Sequence, residues 1–194
     1  MEDNIKEMME NLHLDSKLTM DDIPNLDLYM DQVIQLFENK YAAAKRNEEE
    51  KILTKTMINN YSKGKLFFPI KNKKYSPEHV MLINMIYEMK TSLSIRDIKQ
   101  TLDPLNNRMM KEEFELNPIY EFFLELTEKN LERFSNDSNE IINEVKKSSD
   151  ALQEDDDYWN KFFLILSFVN MSNYYCRVAE ALVDEMESKE LKKD

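Results

Sequence analysis

The sequence predicts an all-α, mainly helical protein built as two units. Three observations carry this. Of the 194 residues 42% are apolar, enough for a core; the 33% that are charged interleave with scattered Leu, Ile, Met and Phe; and the apolar residues recur at three- and four-residue spacing. Residues 1–18 are charged and weakly patterned, and are expected as an N-terminal tail or short helix. From Asp21, the spacing of Leu28, Met30, Val33, Ile34, Phe37 and Tyr41 predicts one amphipathic helix reaching about Arg46, with Asp27 and Asp31 near its positive end.

Thr54 reads as an N-cap, and Leu53 and Ile58 stand where a hydrophobic staple would close. The short helix that follows, Lys55 to Lys63, has two faces. At 100° per residue Met57, Ile58 and Tyr61 share one side, and Lys55, Thr56, Asn59 and Lys63 the other. Gly64 is expected as its left-handed C-terminal cap. The segment from Phe67 to Tyr75 is rich in β-formers around a lysine-rich tip and is expected as a two-stranded wing, held to an edge by Pro69. Ser76-Pro77 launches a mostly buried helix to about Lys90. Ser94 and Asp97 form a capping box for a short helix that Asp103-Pro104 is expected to break, leaving Leu105 to Glu113 as a linker.

Pro118 starts the second unit, a long helix with a candidate interruption at Ser135 to Ser138. The acidic run Glu154 to Asp157 suits the start of a last helix, about Asp155 to Glu190. Phe162 to Val169 is apolar on every side of that helix, so it calls for cover all round. The expected arrangement is an antiparallel helical hairpin packed on the first unit or on another subunit. The division is thus 1–18 as tail, 19–105 as first domain and 106–194 as C-terminal helical region.

Composition excludes several function classes. Phosphate loops and dinucleotide folds need several glycines, and this chain has one. His13 and His79 have no neighbouring ligand partner, so no metal or cofactor site is expected, and each reads as a surface or capping residue. No nucleophile, base and orienter cluster, so an enzyme is not expected. The lone Cys176 sits in an apolar helical pattern and reads as a buried, inert thiol. No apolar stretch approaches the roughly 20 residues of a membrane helix, and MEDNIKEMMENL lacks the features of a signal peptide, so the expected setting is cytoplasmic with no membrane partner.

Charge is the most directional signal. Net charge is −8 over residues 1–50, +7 over 51–110 and −11 over 111–194, and seven lysines occur between Lys51 and Pro77 without one acidic residue. A local basic patch on an acidic chain is the footprint of a polyanion site; a solvated lysine-rich loop is the alternative.

The order of pieces from 28 to 105 resembles the winged helix-turn-helix of MerR-type regulators. TKTMINNYSKGKLFFP supplies Tyr61, Leu66 and Pro69 where that family has its tyrosine, Gly-Leu and proline pattern, KKYS at 73–76 matches the close of the wing, and SLSIRDIKQTL at 92–102 its last short helix. Asn59 stands in place of the family's arginine, and the first helix is longer than the family's usual opening. A nearer resemblance is to the domain of unknown function 1836 family, whose blocks are similar almost word for word to IPNLDLYMDQV, LTKTMINNY, KKYSPEH and LSIRDIK over roughly residues 19–105.

The resemblance implies a MerR-like DNA-binding fold and a homodimer joined through the hairpin from Asn117 to Leu191, reading double-stranded DNA as a transcription regulator. Asn59 is the candidate base contact, since Asn pairs bidentately with adenine. Lys55, Lys63 and Lys65 around the helix, Thr54 and Thr56 at its start, and Lys71, Lys73 and Lys74 on the wing are the candidate phosphate contacts. Residues 106–194 hold twelve of the twenty aromatic residues, which are expected to pack on one another; an apolar effector among them is the alternative. The alternative function is an acidic helical protein-protein interaction module that keeps the fold without binding DNA.

Overall fold

The computed structural model describes residues 2–111, 114–151 and 157–190. Their order is α1 (Glu2–Glu10), β1 (Leu28–Tyr29), α2 (Met30–Tyr41), α3 (Lys55–Lys63), β2 (Lys74–Tyr75), α4 (Pro77–Met89), α5 (Ile95–Met109), α6 (Asn117–Ala151) and α7 (Asp157–Glu190), with single 3-10 turns at Met20–Asp22 and Ala42–Ala44. The protein is mainly helical, as its spacing predicts. Glu154 to Asp156, in the expected acidic start of the last helix, lie outside the described residues.

The first helix begins later than its apolar spacing suggests. Pro24 and the extended segment after it give β1, which pairs antiparallel with β2 in the register Leu28 to Tyr75 and Tyr29 to Lys74, and helix starts only at Met30. The backbone N–H of Tyr29 donates to Gln32 Oε1 at 2.8 Å, so a side chain three residues on satisfies the start of α2. β2 therefore takes its strand partner from a segment 46 residues earlier, and the expected two-stranded wing over Phe67 to Tyr75 is reduced to a tight turn. Asn72 and Lys73 both have positive φ, 53° and 57°, and Lys74 N–H donates to Lys71 O at 2.9 Å, the pattern of a two-residue type I′ turn.

Two further expectations are corrected. Gly64 has φ −72°, and the left-handed position at the end of α3 is Lys65, φ 56°. The N–H of Leu66 donates to Tyr61 O at 3.0 Å and that of Lys65 to Ser62 O at 3.1 Å, closing a Schellman motif whose apolar pair, Leu66 and Tyr61, is buried. α5 passes through Pro104 to Met109. Proline there costs roughly 3 kcal/mol; against that, Leu102 and Asn106 are buried, and Asn106 Nδ2 donates to Leu66 O at 3.0 Å. The stretch expected as a linker from Leu105 thus begins as helix.

One core runs from Leu18 to Tyr120 and includes Val33, Phe37, Ile58, Leu82, Ile83, Ile86 and Ile98, each shielded from solvent. Each such side chain contributes about 1.5–3 kcal/mol of burial. At its centre lies a closed polar ring. Leu18 N–H donates to Tyr41 Oη at 3.2 Å, Tyr41 O–H to Asn84 Oδ1 at 2.7 Å, Asn84 Nδ2 to Tyr120 Oη at 2.9 Å, and Tyr120 O–H back to Leu18 O at 2.6 Å. Four segments far apart in sequence are fastened by it: the chain before β1, α2, α4 and the start of α6.

α4 is fixed at its N-terminus by His79, which is buried and confirms the capping reading. Its Nδ1 accepts from Ser76 N–H at 3.1 Å, and its Nε2–H donates to Phe68 O at 3.1 Å, so one neutral tautomer ties helix start to the base of the wing turn. α6 and α7 run antiparallel, with α6 uninterrupted through Ser135 to Ser138. Ile5 of α1, Ile142 and Leu164 form a small core between them. Near its C-terminus α7 leans on α5, where Gln100 Nε2 donates to Val183 O at 2.9 Å and Arg96 pairs with Glu187 at 3.1 Å.

Two predictions follow from the buried polar groups. Burial raises the pKa of Tyr41 and of Tyr120, with the Glu88 charge adding at Tyr41. Unfolded tyrosines ionise near pH 10, so stability is full below that pH and falls as pH rises beyond it. Thermal melts of Tyr120→Phe are expected to start lower by about 1–3 kcal/mol, the cost of leaving Leu18 O and Asn84 unpaired, and to decline less steeply above pH 10. Equal alkaline slopes in both proteins would contradict the assignment. Burial lowers the pKa of His79, with the Phe68 carbonyl opposing it. Its stabilisation is present above the ordinary histidine pKa and is lost as pH falls from about 6.5. Protection against hydrogen exchange at the amides of residues 68–79, taken relative to the unfolded-chain rate at each pH, is expected to fall below that pH in the wild type and to lose this step in His79→Asn.

Candidate nucleic-acid interface

α3 is held rigidly from within. Ile58 and Tyr61 point into the core, Leu53 and Ile58 are both buried as the staple requires, and Thr54 Oγ1 accepts from Met57 N–H at 3.2 Å. The segment just before the helix is clamped by Lys90, whose Nζ donates to Ile52 O at 3.0 Å and lies 4.1 Å from the Tyr87 ring centroid. Burial lowers the pKa of Lys90, while Glu50 and Glu88 oppose that shift. With its inner face fixed, the outer face of α3 is fixed as well.

Lys55, Thr56, Asn59 and Lys63 are exposed on that outer face. Thr54 is half-buried and its oxygen is engaged as the cap. Lys65 is exposed at the left-handed position, and Lys71 and Lys73 are exposed at the turn. Lys74, half-buried, has its ammonium 5.2 Å from the Tyr29 ring centroid.

One short segment, Tyr29 to Asp31, brings the two ends of this set together. Lys55 Nζ pairs with Asp31 Oδ1 at 2.7 Å, and Lys74 lies over Tyr29 two residues away. The N-terminus of α3 and the wing turn therefore flank the start of α2. Lys63 stands eight residues from Lys55 along α3, about 12 Å of helix rise, and Lys65 follows it around the cap, so these two extend the face rather than join the Lys55 and Lys74 cluster. Among the described residues Lys63, Lys65, Lys71 and Lys73 make no salt bridge.

Tyr29 and Asp31 are the members that sequence reading misses. Tyr29 is 56% exposed, unusual for an aromatic ring flanked by strand and helix. Asp31 is legible only as an acidic residue suited to a helix start; its pairing with Lys55 depends on how α2 and α3 pack. Beside the turn is a cleft of about 230 Å³ lined by Asp27, Phe68, Lys71, Lys74, Ser76 and His79. A wider groove of about 580 Å³ lies between Met9, His13 and Leu14 on one side and Leu131, Phe134 and Asn139 of α6 on the other.

Neither histidine joins a metal-ligating group, and among the described residues no cluster of three or more His, Cys, Asp or Glu could hold a metal ion. No described helix is long and apolar enough to cross a membrane. Cys176 is half-buried and unpaired by any disulfide.

No curated protein and no solved structure matches the chain. A family model, Domain of unknown function (DUF1836), matches residues 18–123. These bounds coincide with the core that begins at Leu18 and ends with Tyr120 and the adjoining Phe123, so the first two turns or so of α6 fall within the family match and the rest of the hairpin does not. On that match, over more than half of its length, the chain belongs to the DUF1836 family.

Proposed function

We propose that this protein is a DNA-binding transcription regulator of MerR-like winged helix-turn-helix type, with α3 lying in the major groove and the turn at Lys71 to Lys74 gripping the adjoining backbone. The observation that carries the reading is the outer face of α3. A helix pinned by its cap, staple and buried side chains presents Asn59, a side chain able to read adenine, between Lys55 and Lys63, on a molecule whose other thirds are strongly acidic. The acidic hairpin is joined to the core through Tyr120, whose hydroxyl donates to Leu18 O, and through α5, where Gln100 Nε2 donates to Val183 O. Two subunits would read two half-sites. An apolar effector, where one exists, has the groove between Leu14 and Phe134 to occupy.

The competing reading, a protein interaction module, draws support from the exposed apolar residues of the hairpin. One experiment separates the two. Fragments selected from random duplex DNA at moderate salt are titrated with wild type and with Lys55→Ala/Asn59→Ala/Lys63→Ala. With three or four lysines per subunit at phosphates, the wild-type dimer is expected to show a slope of log affinity against log salt of about −5 to −7, and the variant to lose roughly two of those contacts per subunit and its sequence preference. No selected fragments, or equal binding by the variant, leaves the interaction module as the reading.

Asp31 supplies a second test. Its carboxylate occupies the Lys55 ammonium and would repel an incoming phosphate, yet as an exposed ion pair it contributes little to folding. Asp31→Asn is therefore expected to leave the melting temperature nearly unchanged and to tighten DNA binding by about two- to tenfold per subunit at low salt, measured by fluorescence anisotropy. Unchanged affinity would place Lys55 away from the DNA.

A further inference from the structure

The ring of Tyr29 faces away from the core. In the register Leu28 to Tyr75 and Tyr29 to Lys74, successive residues of β1 and β2 point to opposite sides. Leu28 and Tyr75 turn inward and are buried, whereas Tyr29 turns outward beside Lys74 and keeps 56% of its surface in water. A polar residue or threonine fills such a position without exposing an apolar ring. The reason for a ring here must lie at the surface itself.

It lies across the strand pair. Residues directly opposite one another have Cβ atoms about 4.5–5.5 Å apart, and the Lys74 ammonium stands 5.2 Å from the centroid of the Tyr29 ring. On its other side Lys74 faces Lys71, its partner in the antiparallel bridge that closes the turn. Lys71, Lys74 and Tyr29 thus form one row. Like charges directly opposed repel, while the face of an aromatic ring attracts a cation, so both effects draw Lys74 toward Tyr29 and away from Lys71. The ring sets the spacing of the two ammonium groups.

The two lysines on either side of the start of α2 are held by different chemistry. Asp31 holds Lys55 with a carboxylate at 2.7 Å, which cancels the charge it holds. Tyr29 holds Lys74 with a neutral ring. The ring quadrupole leaves the positive charge whole, and a ring on one side of an ammonium leaves donors open on the other. Among the described residues no carboxylate pairs with Lys74. A lysine already placed loses less rotamer freedom when it meets a phosphate, so holding it without neutralising it favours binding.

We propose that Tyr29 is a positioning residue of the nucleic-acid interface: its ring holds Lys74 where the ammonium meets a backbone phosphate, and its hydroxyl takes no part. The inference rests on the DNA-binding reading and adds to it a residue that acts through another. It also accounts for a bulky aromatic ring left in water at the edge of a basic turn.

The test is a double-substitution cycle in the full chain, with duplex fragments selected by the wild type and titrated by fluorescence anisotropy at low salt. Tyr29→Phe keeps the ring and is expected to bind as tightly as the wild type. Tyr29→Val keeps a strand-forming residue but removes the ring, and is expected to weaken binding about two- to fivefold per subunit. Lys74→Met is expected to lower the slope of log affinity against log salt by about one per subunit. Adding Tyr29→Val to Lys74→Met is expected to change nothing more, a result that a merely structural role for the ring would not give. Equal loss in Tyr29→Phe and Tyr29→Val, no loss in Tyr29→Val, or a further loss on the Lys74→Met background overturns the positioning role while leaving DNA binding in place. A wild type that retains no duplex overturns both.

Discussion

The ring of hydrogen bonds through Leu18, Tyr41, Asn84 and Tyr120 is the constraint on which the other contacts of the core depend. Its four members come from segments that have no local reason to meet, and they meet where water cannot substitute for a lost partner. Each hydroxyl both donates and accepts, and the amide of Asn84 uses both its oxygen and its nitrogen, so the ring admits one arrangement of α2, α4 and α6. Apolar packing around it supplies most of the free energy. The ring supplies the choice of that packing over others of similar area, because any slip of one helix would strand polar atoms in the core.

Fixing these helices fixes the surface opposite. α3 is seated on the core by Ile58 and Tyr61, its approach is held by Lys90, and the wing turn is tied to α4 through His79. The cationic side chains that cluster near Tyr29 and Asp31 therefore stand on backbone with little freedom to rearrange. Long lysine side chains on such a base can adjust to a polyanion while the backbone beneath them keeps its spacing, which is the condition for orientation as well as attraction.

Local signals in the sequence read well. The cap at Thr54, the staple of Leu53 and Ile58, the reciprocal bonds of Ser94 and Asp97, and the Ser76-Pro77 start all appear as their residue types dictate, because each is decided within four or five residues. The two long helices of the hairpin were legible from their spacing. What the sequence conceals is decided at a distance. β1 forms because β2 is there to pair with it, overriding an apolar pattern that reads as helix. α5 continues through Pro104 because its last turns are anchored on the core and on Leu66 O. In the candidate interface, the outward face of α3 was legible from its wheel, whereas the meeting of Lys55 with Asp31 and of Lys74 with Tyr29 was not, since both follow from packing.

The positive-φ residues Lys65, Asn72 and Lys73 have a consequence of their own. Glycine would adopt these backbone angles with less strain, but it has no side chain to present. By setting lysine at two such bends, the chain accepts a small conformational penalty and in return aims each ammonium through the backbone itself, since a left-handed residue throws its Cβ in a direction no ordinary helix or strand position can. The corners of this molecule thus act as brackets for charge, and glycine at Lys65 or Lys73 would make the backbone sturdier while removing an ammonium group from the surface.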